Sequence, residues 1–245
     1  MSHHPTLLTH DRETLAGRRW LAESPVASVV LVHGFCASSD DPAVVAVAES
    51  LHEQGFDVVS YDARGHGRST GESTLGDLEQ HDVAAAVSMA RERTPDVVLV
   101  GASMGAIAVL RYAATDDNLR GVVSVSCPAR WTLPVNPTAA AAALMTRTPV
   151  GRAFLARMLK VRVARRWTNA EPPVELVRRL QMPVAVVHGT SDRFIPLKAS
   201  YELYANAIGE RSLDLVPGMG HAYDSLATDP ISRSVGWTLR SSALV

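Results

Sequence analysis

The sequence predicts an α/β fold built on a mainly parallel sheet. Two observations carry that prediction. Short valine-rich runs that do not alternate with polar residues recur along the chain, as expected of strands buried on both faces of a parallel sheet. Between them lie amphipathic helical patterns, and strand alternating with helix is the signature of this class. A third observation sets the functional question: the run Val97–Val100 leads straight into Gly101-Ala102-Ser103-Met104-Gly105.

The elements follow in order. Leu7–Thr9 and Arg18–Ala22 read as an antiparallel hairpin on the sheet edge, preceded by His3 and His4 on an exposed, disordered end rather than in a metal tract. Ser28–Val32 (SVVLV) is the first buried run, followed by a helical pattern over 41–54. Val58–Tyr61 is next, with a helix over 76–93. Val97–Val100 enters a helix over 104–114, and Gly121–Val125 (GVVSV) follows. Residues 127–183 break the rhythm with helix-like sequence and no clear strand, which reads as an insertion between two strands. Val184–Val187, a helix over 198–207, Leu213–Val216 and a helix over 229–242 complete the alternation.

Composition narrows the function classes. A chain of 245 residues fits one large domain or two small ones, long enough to bury most of its apolar surface in one core. A net charge of −1 gives no electrostatic argument for nucleic acid. Two cysteines make no disulfide framework. The first residues hold no apolar signal segment, and no apolar run approaches the ~20 residues of a transmembrane segment. The expectation is a soluble, cytoplasmic protein. Charge is uneven, however. Residues 127–183 carry nine arginines and one lysine against Glu171 and Glu175, a net of +8 that leaves −9 on the remainder.

The glycines of Gly-Ala-Ser-Met-Gly suit a sharp turn from a buried strand into a helix, where the backbone passes close to its neighbours without a Cβ clash. Such a turn projects Ser103 above the sheet edge as a nucleophile elbow and aims the Met104 amide at a bound substrate. A serine hydroxyl needs a positioned base. His221, in Pro-Gly-Met-Gly-His after the last apolar run, stands where that base belongs, and Asp192, shortly past a strand end, is the orienting acid. The rival acids are weaker: Asp214 lies inside an alternating strand facing outward, and Asp116 and Asp117 sit at the end of the elbow helix. A tetrahedral oxyanion needs two donors. The amides of Phe35, after the strand-ending His33-Gly34, and of Met104 can supply them.

The segments HGF (33–35), YDARGHGRS (61–69), GASMG (101–105), HGTSDRFIP (188–196) and GMGH (218–221) together resemble the α/β-hydrolase superfamily. They look most like its small bacterial serine esterases and serine-aminopeptidase-like members. The resemblance implies an eight-stranded, mostly parallel sheet flanked by helices, its first strand pair antiparallel. It also implies a core of 1–126 and 184–245 and a small helical cap at 127–183. It lands on Ser103, Asp192 and His221 as the triad and on Phe35 and Met104 as oxyanion donors. One departure is Ala102, where histidine or tyrosine is frequent before the serine.

The expected activity is cleavage of an ester, carboxylesterase-like, through an acyl-enzyme, on a small-molecule acyl substrate, with no cofactor and no metal. Thioesterase, carbon–carbon hydrolase, acyltransferase or lyase chemistry on the same triad is the alternative, as is a ligand-binding protein on the same scaffold. Oligomeric state is not legible. His33, His66 and His188 read as structural, hydrogen-bonded to nearby backbone. None has zinc-ligand spacing, and dinucleotide binding is not supported. Arg64 and Arg68 brace the loop after the fourth strand. Cys36 and Cys127 read as small buried apolar groups. The candidate substrate pocket comprises Cys36, Leu144, Met145 and Phe194. In the insertion, Leu144, Met145, Phe154, Leu155, Met158 and Leu159 alternate with arginines at 147, 152, 157, 162, 165 and 166. The preferred expectation packs that apolar face on the body and leaves the arginines solvated. The sharper alternative lines an acyl pocket and attracts an anionic substrate or an anionic membrane surface.

Overall fold

Every valine-rich run is a strand of one sheet. The computed structural model describes residues 2–131, 137–166, 168 and 170–241. The strands are β1 (Ser2–His3), β2 (Thr6–Leu8), β3 (Thr14–Trp20), β4 (Ser28–Val32), β5 (Asp57–Tyr61), β6 (Val97–Ala102), β7 (Gly121–Val125), β8 (Val184–Gly189) and β9 (Arg211–Val216). Eight lie on one hydrogen-bonded path, β1-β3-β5-β4-β6-β7-β8-β9, and β2 pairs with β3 beside it. β3 runs antiparallel to β1, β2 and β5, and all pairings from β5 to β9 are parallel.

The helices are α1 (Pro42–Glu53), α2 (Gln80–Arg91), α3 (Met104–Ala113), α4 (Pro137–Arg147), α5 (Pro149–Met158), α6 (Pro173–Leu176), α7 (Lys198–Asn206) and α8 (Thr228–Ser241). They cover both faces of the sheet. Val29 and Leu31 of β4 join Val47 and Leu51 of α1 and Ile231 and Val235 of α8 in one core. Val30 and Val32 point the other way, to Val83 and Val87 of α2, Leu110 of α3 and Leu203 of α7. Residues two apart therefore share a face, and both faces are apolar, so the runs do not alternate. Each valine so buried contributes about 1.5–3 kcal/mol.

Three local expectations change. The N-terminal hairpin is Thr6–Leu8 with Thr14–Trp20, and Ser2–His3 adds a strand opposite Arg19 and Trp20. The first residues are thus tied to the sheet edge, although the His3 and His4 side chains stay exposed. α2 starts at Gln80, not 76. Glu79 accepts from the Thr74 and Gly76 amides and the Ser73 and Thr74 hydroxyls, and this closes a tight loop ahead of the helix. The block 127–183 holds α4, α5, α6 and a 3₁₀ turn at Val177–Arg179. Its residues 132–136, 167 and 169 lie outside the described residues, as does residue 242 at the end of the last expected helix. Among the described residues of the block, the one β contact is an isolated bridge from Val163 to Ser73.

The loops at the carboxyl ends of β4 and β5 are locked by neutral histidines. His33 donates from Nδ1 to the Gly34 carbonyl at 2.7 Å and accepts the Ala63 amide on Nε2 at 2.9 Å. His66 donates to the Arg64 carbonyl and accepts the Cys36 amide. A ring nitrogen that accepts an N–H cannot carry a proton. Arg64 is buried and donates to Asp82 and Asp11. Arg68 is half exposed and pairs with Asp40. Asp62 sits between the loops, accepting from the Ser39 and Arg68 amides and the Ser39 hydroxyl. Burial pushes its carboxyl up, but those bonds outweigh it and hold the pKa below the ordinary value.

Two measurements check these contacts. A Cβ at Gly105 would stand 2.5 Å from the His33 carbonyl oxygen and 2.6 Å from that of Val32, both backbone atoms. Gly105→Ala should therefore cost about 1–3 kcal/mol, seen as a fall in Tm. Gly236→Ala in α8, whose Cβ meets only an arginine tip at 3.3 Å, should leave Tm unchanged or raised. Equal responses would contradict the packing at the elbow. Burial, first of all, holds His66 down to about 3 against an ordinary 6.5. The unfolded chain takes up a proton near 6.5 and the folded one does not. This group's contribution to stability is therefore complete above about pH 6.5 and is lost as pH falls towards 3. His66→Gln, which cannot titrate, should show a smaller fall in Tm between pH 7 and about pH 4 than the native chain. An unchanged fall would place the acid sensitivity elsewhere.

Candidate active site

Ser103 is built into the joint between β6 and α3. Its backbone takes φ 53° and ψ −113°, in the positive-φ half of the map where side-chain-bearing residues are rare. Two contacts hold it there: its amide donates to the Val125 carbonyl at 2.9 Å, and its carbonyl accepts the Ile107 amide. The flanking glycines are required by space. A Cβ at Gly101 would collide with the Gly105 carbonyl, and one at Gly105 with the backbone of β4 and His33. Gly34 lies against the same turn, its would-be Cβ 3.4 Å from that of Ser103.

His221 reaches this serine from the loop after β9. Its Nε2 lies 2.9 Å from Ser103 Oγ, and its Nδ1 lies 2.8 Å from Asp192 Oδ2. With Asp192 ionised, Nδ1–H donates to the carboxylate and Nε2 is left to accept from the hydroxyl. Asp192 follows β8, and its side chain is 1 % exposed. Oδ1 accepts the Phe194 and Ile195 amides at 2.8 and 3.0 Å. Burial raises its pKa. The hydrogen bond and charge of His221, with the two amides, more than offset this, so the carboxyl lies below its ordinary value.

Other groups set the two loops. Gly189 leaves room for the backbone of Met219 and Gly220, and the Ser191 amide donates to the Met219 carbonyl. Ser126, itself at positive φ, accepts the Ala222 amide on its hydroxyl. The buried Tyr223 hydroxyl donates to the Val32 carbonyl, tying the histidine loop to β4. His188 lies behind the acid, its Nε2 3.6 Å from Asp192 Oδ2 and donating to the Ile195 carbonyl. Burial pushes its pKa down, and its buried Nδ1 has no partner among the described residues. Neither Ser126 nor Tyr223 is marked by any motif. The one signal was adjacency, Ser126 at a strand end and Tyr223 two residues past His221.

A recess of about 120 Å³ opens over Ser103 and His221, lined also by Phe35, Asp41, Val44 and Tyr223. Asp41 accepts the Ser38 amide and hydroxyl. The Phe35 and Met104 amides have no hydrogen-bond partner among the described residues, and Met104 is the first residue of α3. The four expected pocket side chains scatter. Phe194 stands against the His221 ring, centroids 4.9 Å apart. Met145 packs, as Phe35 does, against the cluster of Leu155, Val161 and Val163. Leu144 faces solvent. Cys36 lines a neighbouring cavity with Leu159 and Lys160. Cys36, at a positive φ of 64°, is exposed rather than buried, whereas Cys127 is buried as expected. Of the rival acids, Asp214 pairs with Arg233, Asp116 binds Tyr112 and Arg91, and Asp117 is exposed. Among the described residues no group of three His, Cys, Asp or Glu side chains could hold a metal ion.

Known proteins share this architecture. The family described as serine aminopeptidase, S33, matches residues 23–170. The uncharacterized protein YqkD of Bacillus subtilis is 27% identical over 187 residues, 69% of this chain and 56% of its own length. The chain thus spans little more than half of that relative. A non-heme haloperoxidase of Rhodococcus erythropolis is 23% identical over 93% of this chain and 96% of its own. Among solved structures, an esterase of Pyrococcus furiosus superposes with a TM-score of 0.75 at 19% identity, covering 98% of this chain and 92% of its own. That likeness is one of fold. The family match rests on the elbow and the strands around it and stops short of Asp192 and His221, yet it takes in well over half of the sequence: the chain belongs to the serine aminopeptidase S33 family of α/β hydrolases.

Proposed function

We propose that the protein is a serine hydrolase that cleaves esters of small carboxylic acids. The observation that carries this reading is the unbroken hydrogen-bonded chain Ser103 Oγ–His221–Asp192, with contacts of 2.9 and 2.8 Å. In it, His221 Nε2 takes the hydroxyl proton as Ser103 Oγ attacks the ester carbonyl, then returns that proton to the leaving alkoxide. Asp192 holds the ring in the tautomer that frees Nε2 and stabilises the imidazolium. The unengaged Phe35 and Met104 amides are the donors for the oxyanion. Water, deprotonated by the same imidazole, releases the acid from Ser103. The resemblance to esterases in fold supports the ester bond. The small recess, with Ala37, Ala43, Val44 and Tyr223 along its walls, supports a short acyl group. Residues 127–183 act as a cap beside it, their cluster of Leu155, Val161 and Val163 packing against Phe35.

Steady-state kinetics with nitrophenyl esters test the reading. Ser103→Ala should lower kcat by about 10⁴- to 10⁶-fold with Tm retained, and Asp192→Asn by roughly 10⁴-fold at neutral pH through the wrong tautomer. Acetate and butyrate esters should give kcat/KM at least about tenfold above the decanoate ester, one factor of ten being worth ~1.4 kcal/mol. Residual Ser103→Ala activity within tenfold of native would overturn the nucleophile. A preference for the long chain would overturn the short-acyl assignment alone.

A further inference from the structure

The helix pair α4–α5 leaves an apolar face that no described residue covers. α5 is tightly joined to α4: Thr148 caps it through the Gly151 amide, and a Cβ at Gly151 would collide with the Met145 backbone. Its inward side is satisfied by Leu155, fully buried against Val161 and Val163. The opposite expectation, that its remaining apolar residues pack on the body, fails. Val150, Phe154 and Met158 are 81, 49 and 63 % exposed. Their i, i+4, i+8 spacing puts all three on one outward stripe. Leu144 at the end of α4 and Leu159 just past α5 are exposed as well.

Charge says what covers this stripe. Residues 137–166 hold Arg147, Arg152, Arg157, Lys160, Arg162, Arg165 and Arg166 and not one Asp or Glu. Arg152 donates to the carbonyls of Thr146 and Arg147, and Arg162 to those of Ser69 and Gly71, all neutral acceptors. The other five form no ion pair among the described residues. Elsewhere in the same block Arg130, Arg178 and Arg179 do pair with glutamates. We infer that the α4–α5 face docks on an anionic membrane surface, with Val150, Phe154 and Met158 entering the headgroup boundary and the unpaired cations meeting the headgroups. An apolar stripe on a segment whose cations have no acidic partner is the composition such interfaces select. A two-fold pairing of chains through this face would instead bring together two segments that each carry these uncompensated cations. Leu159 and Lys160 also line the cavity next to the Ser103 recess, so docking places that cavity at the membrane. The inference does not depend on the reaction that Ser103 performs.

Sedimentation with vesicles tests it. The native chain should bind vesicles of phosphatidylcholine with about 30 % phosphatidylglycerol, should not bind phosphatidylcholine alone, and should lose at least about tenfold in partitioning at high salt. The Val150→Ser, Phe154→Ser, Met158→Ser triple variant should lose at least about tenfold. So should the variant carrying Arg147→Gln, Arg157→Gln, Arg165→Gln and Arg166→Gln, because each cation near the surface is worth roughly fivefold. Tm identifies any variant that fails to fold, and Phe154→Ser alone then replaces the triple. Absence of binding to the anionic vesicles, equal binding to neutral ones, or binding untouched by both variants would overturn the proposal. So would a concentration-dependent dimer that Phe154→Ser dissociates, since the face would then belong to a second copy.

Discussion

The left-handed turn at Ser103 is the constraint on which the carboxyl edge of the sheet depends. A side-chain-bearing residue in that conformation costs about 1–3 kcal/mol and persists only where its surroundings over-determine it. Here β4, β6 and β7 all contribute. Gly101 and Gly105 let α3 press onto the ends of β6 and β4, and the Val125 carbonyl fixes the serine amide. Each supporting contact is backbone, so the hydroxyl is placed by the sheet itself. The same compression brings Gly34, the residue before Phe35, against the elbow.

Around this point the histidines divide between two kinds of work. His33, His66 and His188 are buried, and burial depresses each pKa. They serve as neutral struts: the first two accept a backbone amide and donate to a carbonyl, and His188 donates to the loop that follows Asp192. His221 alone of the four has an exposed edge, 21 % of its side chain, and it alone bridges a hydroxyl and a carboxylate. Protonating His33 or His66 would remove an acceptor that ties the Phe35 loop to the loop after β5. Acid sensitivity of the fold and geometry of the site are thus coupled through the same rings.

Much of this was legible in the residues, for physical reasons. Strands buried on both faces must be apolar at every position, so SVVLV and GVVSV identified themselves. The glycines flanking Ser103 are dictated by backbone contact, and that makes the motif readable. Asp192 and His221 lie far apart in sequence, and their places just past strand ends marked both as candidates; the structure brings their side chains into contact. Tertiary contacts with no local signature were not legible. Glu79 delayed the start of α2 by gathering loop donors, and Ser2–His3 gained a strand from β3. Burial of the α5 stripe was expected because apolar residues usually pack inward. Leu155 with Val161 and Val163 already fills that side, and sequence periodicity cannot tell which of two apolar faces the body accepts.

The central claim is that Ser103, through its hydrogen bond to His221, is the one activated hydroxyl of the chain. Treatment with a fluorophosphonate followed by peptide mass spectrometry tests it most directly. One adduct per chain is expected, on Ser103 in the peptide holding Gly-Ala-Ser-Met-Gly, and His221→Ala should abolish its formation while leaving the fold intact. An adduct on another residue, or labelling of Ser103 at an unchanged rate without His221, would contradict the account.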